Sequence, residues 1–244
     1  MKNRKRPIGI IGGMGPFASA ELLNMVLLSA RNNFGARKDE DFPEIILISI
    51  PVMSFFADEK RIKSVFKMIK QKINLFERSG VVSFGIACNT AHILTNDIKR
   101  STDLNFVSII EQSIMLIERM KINKIGLLAS PVTIRARLYQ DALEKKGLEV
   151  LLPNEMQVVL LGKIISDLVA KRNIVNNRKV LLAIANSLET RGAQAVILGC
   201  TEFPLAFPSK FDIPVINTIE VLADSLVEKY YSTRNKRHRY LKSC

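Results

Sequence analysis

Gly85-Ile86-Ala87-Cys88-Asn89-Thr90 and Ile197-Leu198-Gly199-Cys200-Thr201-Glu202 are two versions of one phrase. Each ends an apolar, strand-like run, then places a cysteine with a threonine one or two residues later, then turns. The first closes the run Val81–Ala87 and the second closes Ala195–Gly199. The echo predicts two similar halves, each offering one cysteine at the same topological place.

Working outward, further short β-branched runs read as strands: Ile8–Gly12, Ile45–Ile50, Phe106–Ile110, Lys124–Ala129, Leu148–Leu152 and Ile213–Ile216. Segments with helical spacing lie between many of them. In 58–76, Ile62, Val65, Phe66, Ile69, Ile73 and Phe76 form one apolar stripe, with Lys60, Lys63, Lys67 and Lys70 outside it. Strands alternating with helices predict an α/β fold with largely parallel sheets covered by helices. We expect two three-layer lobes with a cleft between them. The first is taken as residues 1–104 plus 211–244, the second as 105–210.

Of the 244 residues, 48% are apolar and 24% charged, the balance of a globular protein. No apolar run approaches the roughly 20 residues of a membrane span. The net charge of +13 is concentrated at the ends. Lys2, Arg4, Lys5 and Arg6 open the chain, and Lys229, Arg234, Lys236, Arg237, Arg239 and Lys242 close it; removing these ten leaves +3. We read the ends as solvated termini rather than a nucleic-acid site. The basic start followed by Ala18-Ser19-Ala20 imitates a secretory leader. Glycines at 9, 12, 13 and 15 and Pro16 suit strand and turn instead. The expectation is a cytoplasmic protein with reduced thiols. His238 and Cys244, in the basic tail, receive no role.

Ligands of parallel sheets sit at the carboxyl ends of strands. Three such loops are candidates. In Gly12-Gly13-Met14-Gly15-Pro16, glycines let backbone N–H groups approach an anion, and Pro16 suits the first turn of a helix. Gly13-x-Gly15-x-x-Ala18 also fits a dinucleotide fingerprint, but the second strand ends Ser49-Ile50-Pro51, without the acid that holds a ribose. The other two loops hold Cys88 and Cys200. A disulfide switch fits poorly without a CxxC pair, and two cysteines plus His92 are an incomplete metal set. Two-base proton transfer remains: a thiolate takes a proton from one face of a carbon and a thiol returns one to the other. A free cysteine pKa of about 8.5 suits both tasks. Thr90 and Thr201 are candidate donors to a thiolate, and Asn89, Thr90, Thr201 and loop N–H groups are candidates for the charge developing on a substrate carboxylate.

At Ile10–Pro16, Ala87-Cys88-Asn89-Thr90-Ala91-His92 and Leu198-Gly199-Cys200-Thr201-Glu202, the sequence resembles the cofactor-independent aspartate/glutamate racemase family, over roughly residues 7 to 230. The resemblance implies two α/β lobes with the active site between them, an isomerase that inverts an amino acid without pyridoxal phosphate or metal, and a homodimer. It implies Cys88 and Cys200 as the acid/base pair. Asn89, Thr90 and Thr201 would bind the α-carboxylate, Thr133 would lie near the site, and Gly13 and Met14 would line it. His92 and Glu202 would support the cysteines, or pack and cap. One departure bears on substrate. The family's arginine for a side-chain carboxylate belongs in a stretch that here reads Pro51-Val52-Met53-Ser54-Phe55-Phe56, and the family's helping lysine falls near Leu160, with Lys163 close by. The expectation is an amino-acid racemase similar to the aspartate racemases, and Met53, Phe55 and Phe56 add the hypothesis of a less acidic, more apolar substrate. The alternatives are an isomerase or racemase of another small carboxylate, or a non-catalytic amino-acid- or nucleic-acid-binding protein on the same fold.

Overall fold

The computed structural model describes residues 6–52 and 59–240, without the side chains of residues 59 and 233–240. Met53, Phe55, Phe56, Lys2, Arg4, Lys5, Lys242 and Cys244 thus lie outside the described residues, as does the side chain of His238.

The chain runs β1 (Ile8–Gly12), α1 (Pro16–Phe34), β2 (Ile45–Ser49), α2 (Glu59–Arg78), β3 (Ser83–Ile86), α3 (Thr95–Ser101), β4 (Asn105–Val107) and α4 (Ile109–Glu118). It continues as β5 (Lys124–Ala129), α5 (Pro131–Arg135), α6 (Gln140–Glu144), β6 (Glu149–Leu151), α7 (Glu155–Val169), α8 (Ile174–Thr190), β7 (Val196–Gly199), β8 (Val215–Asn217) and α9 (Thr218–Tyr240). The strands form two all-parallel sheets of the same order, β2-β1-β3-β4 and β6-β5-β7-β8. The duplicated topology matches the echo in the sequence.

Burial explains the elements. β1, β3 and β7 are buried at every residue, as strands covered on both faces must be. In α2, Val65, Ile69, Ile73 and Phe76 are buried against Phe84 and Ile86 of β3, while Lys60, Lys63 and Lys67 are exposed. Lys70 departs from the expected outer row: it is half-buried and donates to the carbonyl of Ser101. The second sheet has its own outer core with α7 and α8, including Leu161, Ile164, Leu181, Ile184 and Leu188. A third core joins the two lobes, holding Ile8 and Ile10 with Ile125, Leu127, Ile197, Leu222 and Leu226.

Two further expectations change. Phe106–Ile110 is not one strand. Pairing stops at Val107, and Ser108 caps α4 by accepting from the N–H of Glu111 at 3.3 Å, so buried Ile109 and Ile110 open a helix. The lobe boundary also lies elsewhere. Asn105–Val107, assigned above to the second lobe, pairs with β3 in the first sheet. Val215–Asn217, assigned to the first, pairs with β7 in the second. Each crossover supplies the fourth strand that would otherwise leave β3 or β7 as an open edge. Only then does the chain return: α9 packs on α1 and α4 of the first lobe.

Among the described residues, no helix is long and apolar enough to cross a membrane.

Candidate active site

In both sheets the chain leaves the first strand toward one edge and re-enters on the other side, so the crevice opens at the carboxyl ends of the two central strands. The register sets Ile11 beside Ile86 and Ala129 beside Gly199. That places the glycine loop next to the Cys88 loop, and the Ser130 loop next to the Cys200 loop. All four loops border one cleft of about 980 Å³.

The glycine loop is held closed. Gly13 has φ +94°, and a Cβ there would come 2.3 Å from the carbonyl oxygen of Ile50. Its N–H donates to Oγ of Ser19 at 2.8 Å, and that hydroxyl donates to the carbonyl of Gly15 at 2.7 Å. The N–H of Gly15 donates across the cleft to Oε1 of Glu202 at 3.0 Å.

Both cysteines are buried but line the cleft, and both are free thiols. Burial, with the nearby charge of Glu202, pushes the Cys88 thiol up to about 12. The N–H groups of Ala91 and Thr90 and the Thr90 hydroxyl oppose that rise by hydrogen bonding to the sulfur. Cys200 is also held well above its ordinary value, by burial first and then by the charge of Glu202. Its Sγ donates to Oε2 of Glu202 at 3.1 Å, and the hydroxyl of Thr201 donates to the same oxygen at 3.0 Å. A charge on Cys88 adds a smaller rise to the Cys200 pKa.

Gly13, Met14, Asn89, Thr90, Thr201 and Glu202 line the cleft with the two cysteines. Thr133 and His92 do not. Thr133 is fully buried one layer back, 2.9 Å from both the Thr90 and Ser130 hydroxyls, and Ser130 and Thr90 are 3.1 Å apart. This three-hydroxyl cluster ties the Cys88 loop of the first lobe to the start of α5 in the second. His92 is a brace. The N–H of Ile109 donates to its Nε2 at 3.2 Å, which leaves the proton on Nδ1 to bond the carbonyl of Cys88 at 2.9 Å. Burial lowers its pKa to about 4, so it stays neutral, stacked on Phe106.

Asn89 has its side chain committed to protein. Its Oδ1 accepts from the Tyr139 hydroxyl at 2.5 Å, and its Nδ2 donates to Oγ1 of Thr218 at 3.1 Å. The sequence reading missed Ser130, Tyr139 and Thr218. Ser130 stood directly after a strand and before a proline, a readable helix-cap signal. Tyr139 and Thr218 carried no local signal, because they meet Asn89 only through the fold. Among the described residues, no group of three or more His, Cys, Asp and Glu is placed to hold a metal ion.

The arrangement presents two sulfurs to one cleft from matching strand ends, with N–H groups beside each of them. The chemistry within its reach is proton transfer at a small bound molecule.

The chain is similar to known proteins in sequence and in fold. The model of the Asp/Glu/Hydantoin racemase family matches residues 11–226. The broad specificity amino-acid racemase RacX of Bacillus subtilis (strain 168) is 27% identical over 229 residues, 91% of this chain and 97% of that protein. The crystal structure of an aspartate racemase homologue from Pyrococcus horikoshii OT3 superposes with a TM-score of 0.78 at 30% identity, covering 93% of this chain and 99% of that one. The aspartate racemase of Picrophilus torridus gives a TM-score of 0.77 at 25% identity, covering 92% and 94%.

Proposed function

The chain belongs to the Asp/Glu/hydantoin racemase family, and we propose that it inverts the α-carbon of an amino acid by moving protons between that carbon and Cys88 and Cys200. One sulfur, as thiolate, takes the α-proton from one face. The other, as thiol, gives a proton to the opposite face. The cysteines exchange roles in the reverse direction, so atoms and charge balance with no pyridoxal phosphate or metal in the reaction.

The observation that carries this reading is the placement of Cys88 and Cys200 at matching strand ends on one cleft. Backbone N–H groups beside Cys88 and Cys200 favour the thiolate form of each. Glu202 is a positioning residue. It accepts from Cys200 and Thr201 and from the glycine loop opposite, so it keeps Cys200 protonated while fixing the two walls together. Thr90 serves Cys88, with Thr133 and Ser130 behind it. His92 stays neutral and holds the loop rather than moving a proton.

The relatives' names make aspartate, glutamate and a wider amino-acid panel the substrates to test. Loss of the Cα–H signal is followed by proton NMR in heavy water, from both enantiomers. Exchange from both enantiomers of one amino acid is the expected result. No exchange from any of them, with folded protein and reduced thiols, would turn attention to another small carboxylate or to a binding role.

A further inference from the structure

We infer that Arg135 is the specificity-determining cation of the cleft, and that it selects amino acids carrying a second carboxylate. The inference rests on the racemase reading, since it takes the cleft as the seat of an amino acid.

Arg135 ends α5, the short helix whose start carries Ser130 and Thr133. It lies one turn beyond Pro131, so the two share a face. Pro131 packs on Gly162 of α7, where an added Cβ would come 3.1 Å from Pro131 Cγ. Pro131, Arg135, Gly162 and Ser166 all line the cleft. The guanidinium is therefore carried on the second-lobe wall, on the same short helix as the hydroxyls that support the Cys88 loop.

Charge makes this position distinctive. Arg135 is the one basic residue among the described lining residues. Lys163 is exposed on α7 and is not part of that lining. The stretch 53–58 that follows the lining residue Val52 contains no basic residue. The acids closest in sequence on α6, Asp141 and Glu144, are both taken by Arg137 at 2.6 Å. The cleft's own carboxylate, Glu202, is engaged by Gly15, Cys200 and Thr201. No ion pair involves Arg135 among the described residues. An arginine facing a ligand cleft without a protein carboxylate is suited to a ligand carboxylate, which its planar fork can meet with two parallel hydrogen bonds. The missing arginine after β2 thus does not imply an uncharged side chain: in this chain the cation comes from the other lobe.

The test is titration calorimetry on the full chain with two unreactive four-carbon probes, succinate with two carboxylates and butyrate with one. The wild type is expected to favour succinate by about tenfold or more. Arg135→Met should remove most of that preference, and Arg135→Lys should restore part of it. Arg135 is exposed, so neither variant threatens the core. Equal affinity for the two probes in the wild type, or a preference that survives Arg135→Met, would overturn the inference. The turnover arm separates this from the racemase reading. If amino acids exchange their Cα–H, the aspartate-to-alanine ratio of kcat/KM should fall about tenfold in Arg135→Met; an unchanged ratio contradicts the role of Arg135. Arg135-dependent succinate binding with no exchange from any amino acid would instead contradict the racemase reading and leave this one standing.

Discussion

Gly15 and Glu202, 187 residues apart, meet across the cleft: the glycine N–H donates to Oε1 of the carboxylate at 3.0 Å. The other oxygen of the same carboxylate accepts from Cys200 and Thr201. One buried carboxylate therefore joins the lobes and adds to burial in keeping a cysteine protonated. The contact between the lobes and the hydrogen bonding of Cys200 are coupled through it.

Glu202→Gln should slow racemisation and make Cys200 more reactive at once. The amide nitrogen would face Cys200 and Thr201, both donors, and losing such a buried partner costs about 1–3 kcal/mol, or roughly five- to 150-fold in rate. Removing the charge also removes one cause of the raised Cys200 pKa, so iodoacetamide should alkylate Cys200 faster at a fixed pH. Gly15→Ala, whose Cβ would come 2.5 Å from Oε1, should slow racemisation by displacing the same carboxylate. Unchanged alkylation and turnover in Glu202→Gln would contradict the coupling.

Thr90→Val should act on the other cysteine with the opposite sign. It removes the hydroxyl that favours the Cys88 thiolate, so the Cys88 pKa rises further and its alkylation slows. The Thr133 and Ser130 hydroxyls also lose a partner. A net loss of about 1 kcal/mol per hydrogen bond corresponds to roughly a fivefold slower turnover. Peptide mapping of the alkylated protein reads the two cysteines separately. Equal alkylation of Cys88 in wild type and variant would show that Thr90 does not serve the sulfur.

His92 should appear in stability and not in the acid/base chemistry. The unfolded chain protonates this histidine near its ordinary 6.5, whereas the folded chain does so only near pH 4. Between those values the unfolded state binds more protons, so stability falls as pH falls through the window, and this group contributes no slope above it. The loss amounts to about 3 kcal/mol by pH 4. Urea midpoints between pH 7 and 4 should fall less steeply in His92→Gln than in wild type. An equally steep fall would mean that other groups set it.

Much of this was legible in the sequence because it is local. β5 has the limits that its apolar run predicts, and the Cys88 and Cys200 loops stand out by their matching residues alone. What escaped depends on distance. Ile109 and Ile110 are as β-branched as a strand requires, yet the Ser108 cap turns them into a helix. Nothing local marks that β4 pairs with β3 and β8 with β7, against the lobe limits of 1–104 plus 211–244 and 105–210. His92 belongs to the Cys88 motif and Thr133 follows the Ser130 loop, yet both sit behind the wall, because their hydrogen bonds run backward to Cys88, Ile109, Thr90 and Ser130. Arg135 lies two residues beyond Thr133, and only the packing of α5 on α7 brings it to the cleft.

The most direct test of the two-cysteine account compares Cys88→Ser and Cys200→Ser with the wild type on the amino acid that exchanges its Cα–H. Racemisation is followed by polarimetry, and both variants are checked for an unchanged fold by circular dichroism. The account predicts that each single substitution abolishes racemisation, since inversion needs one sulfur on each face of the carbon. Wild-type racemisation surviving in either variant would contradict it.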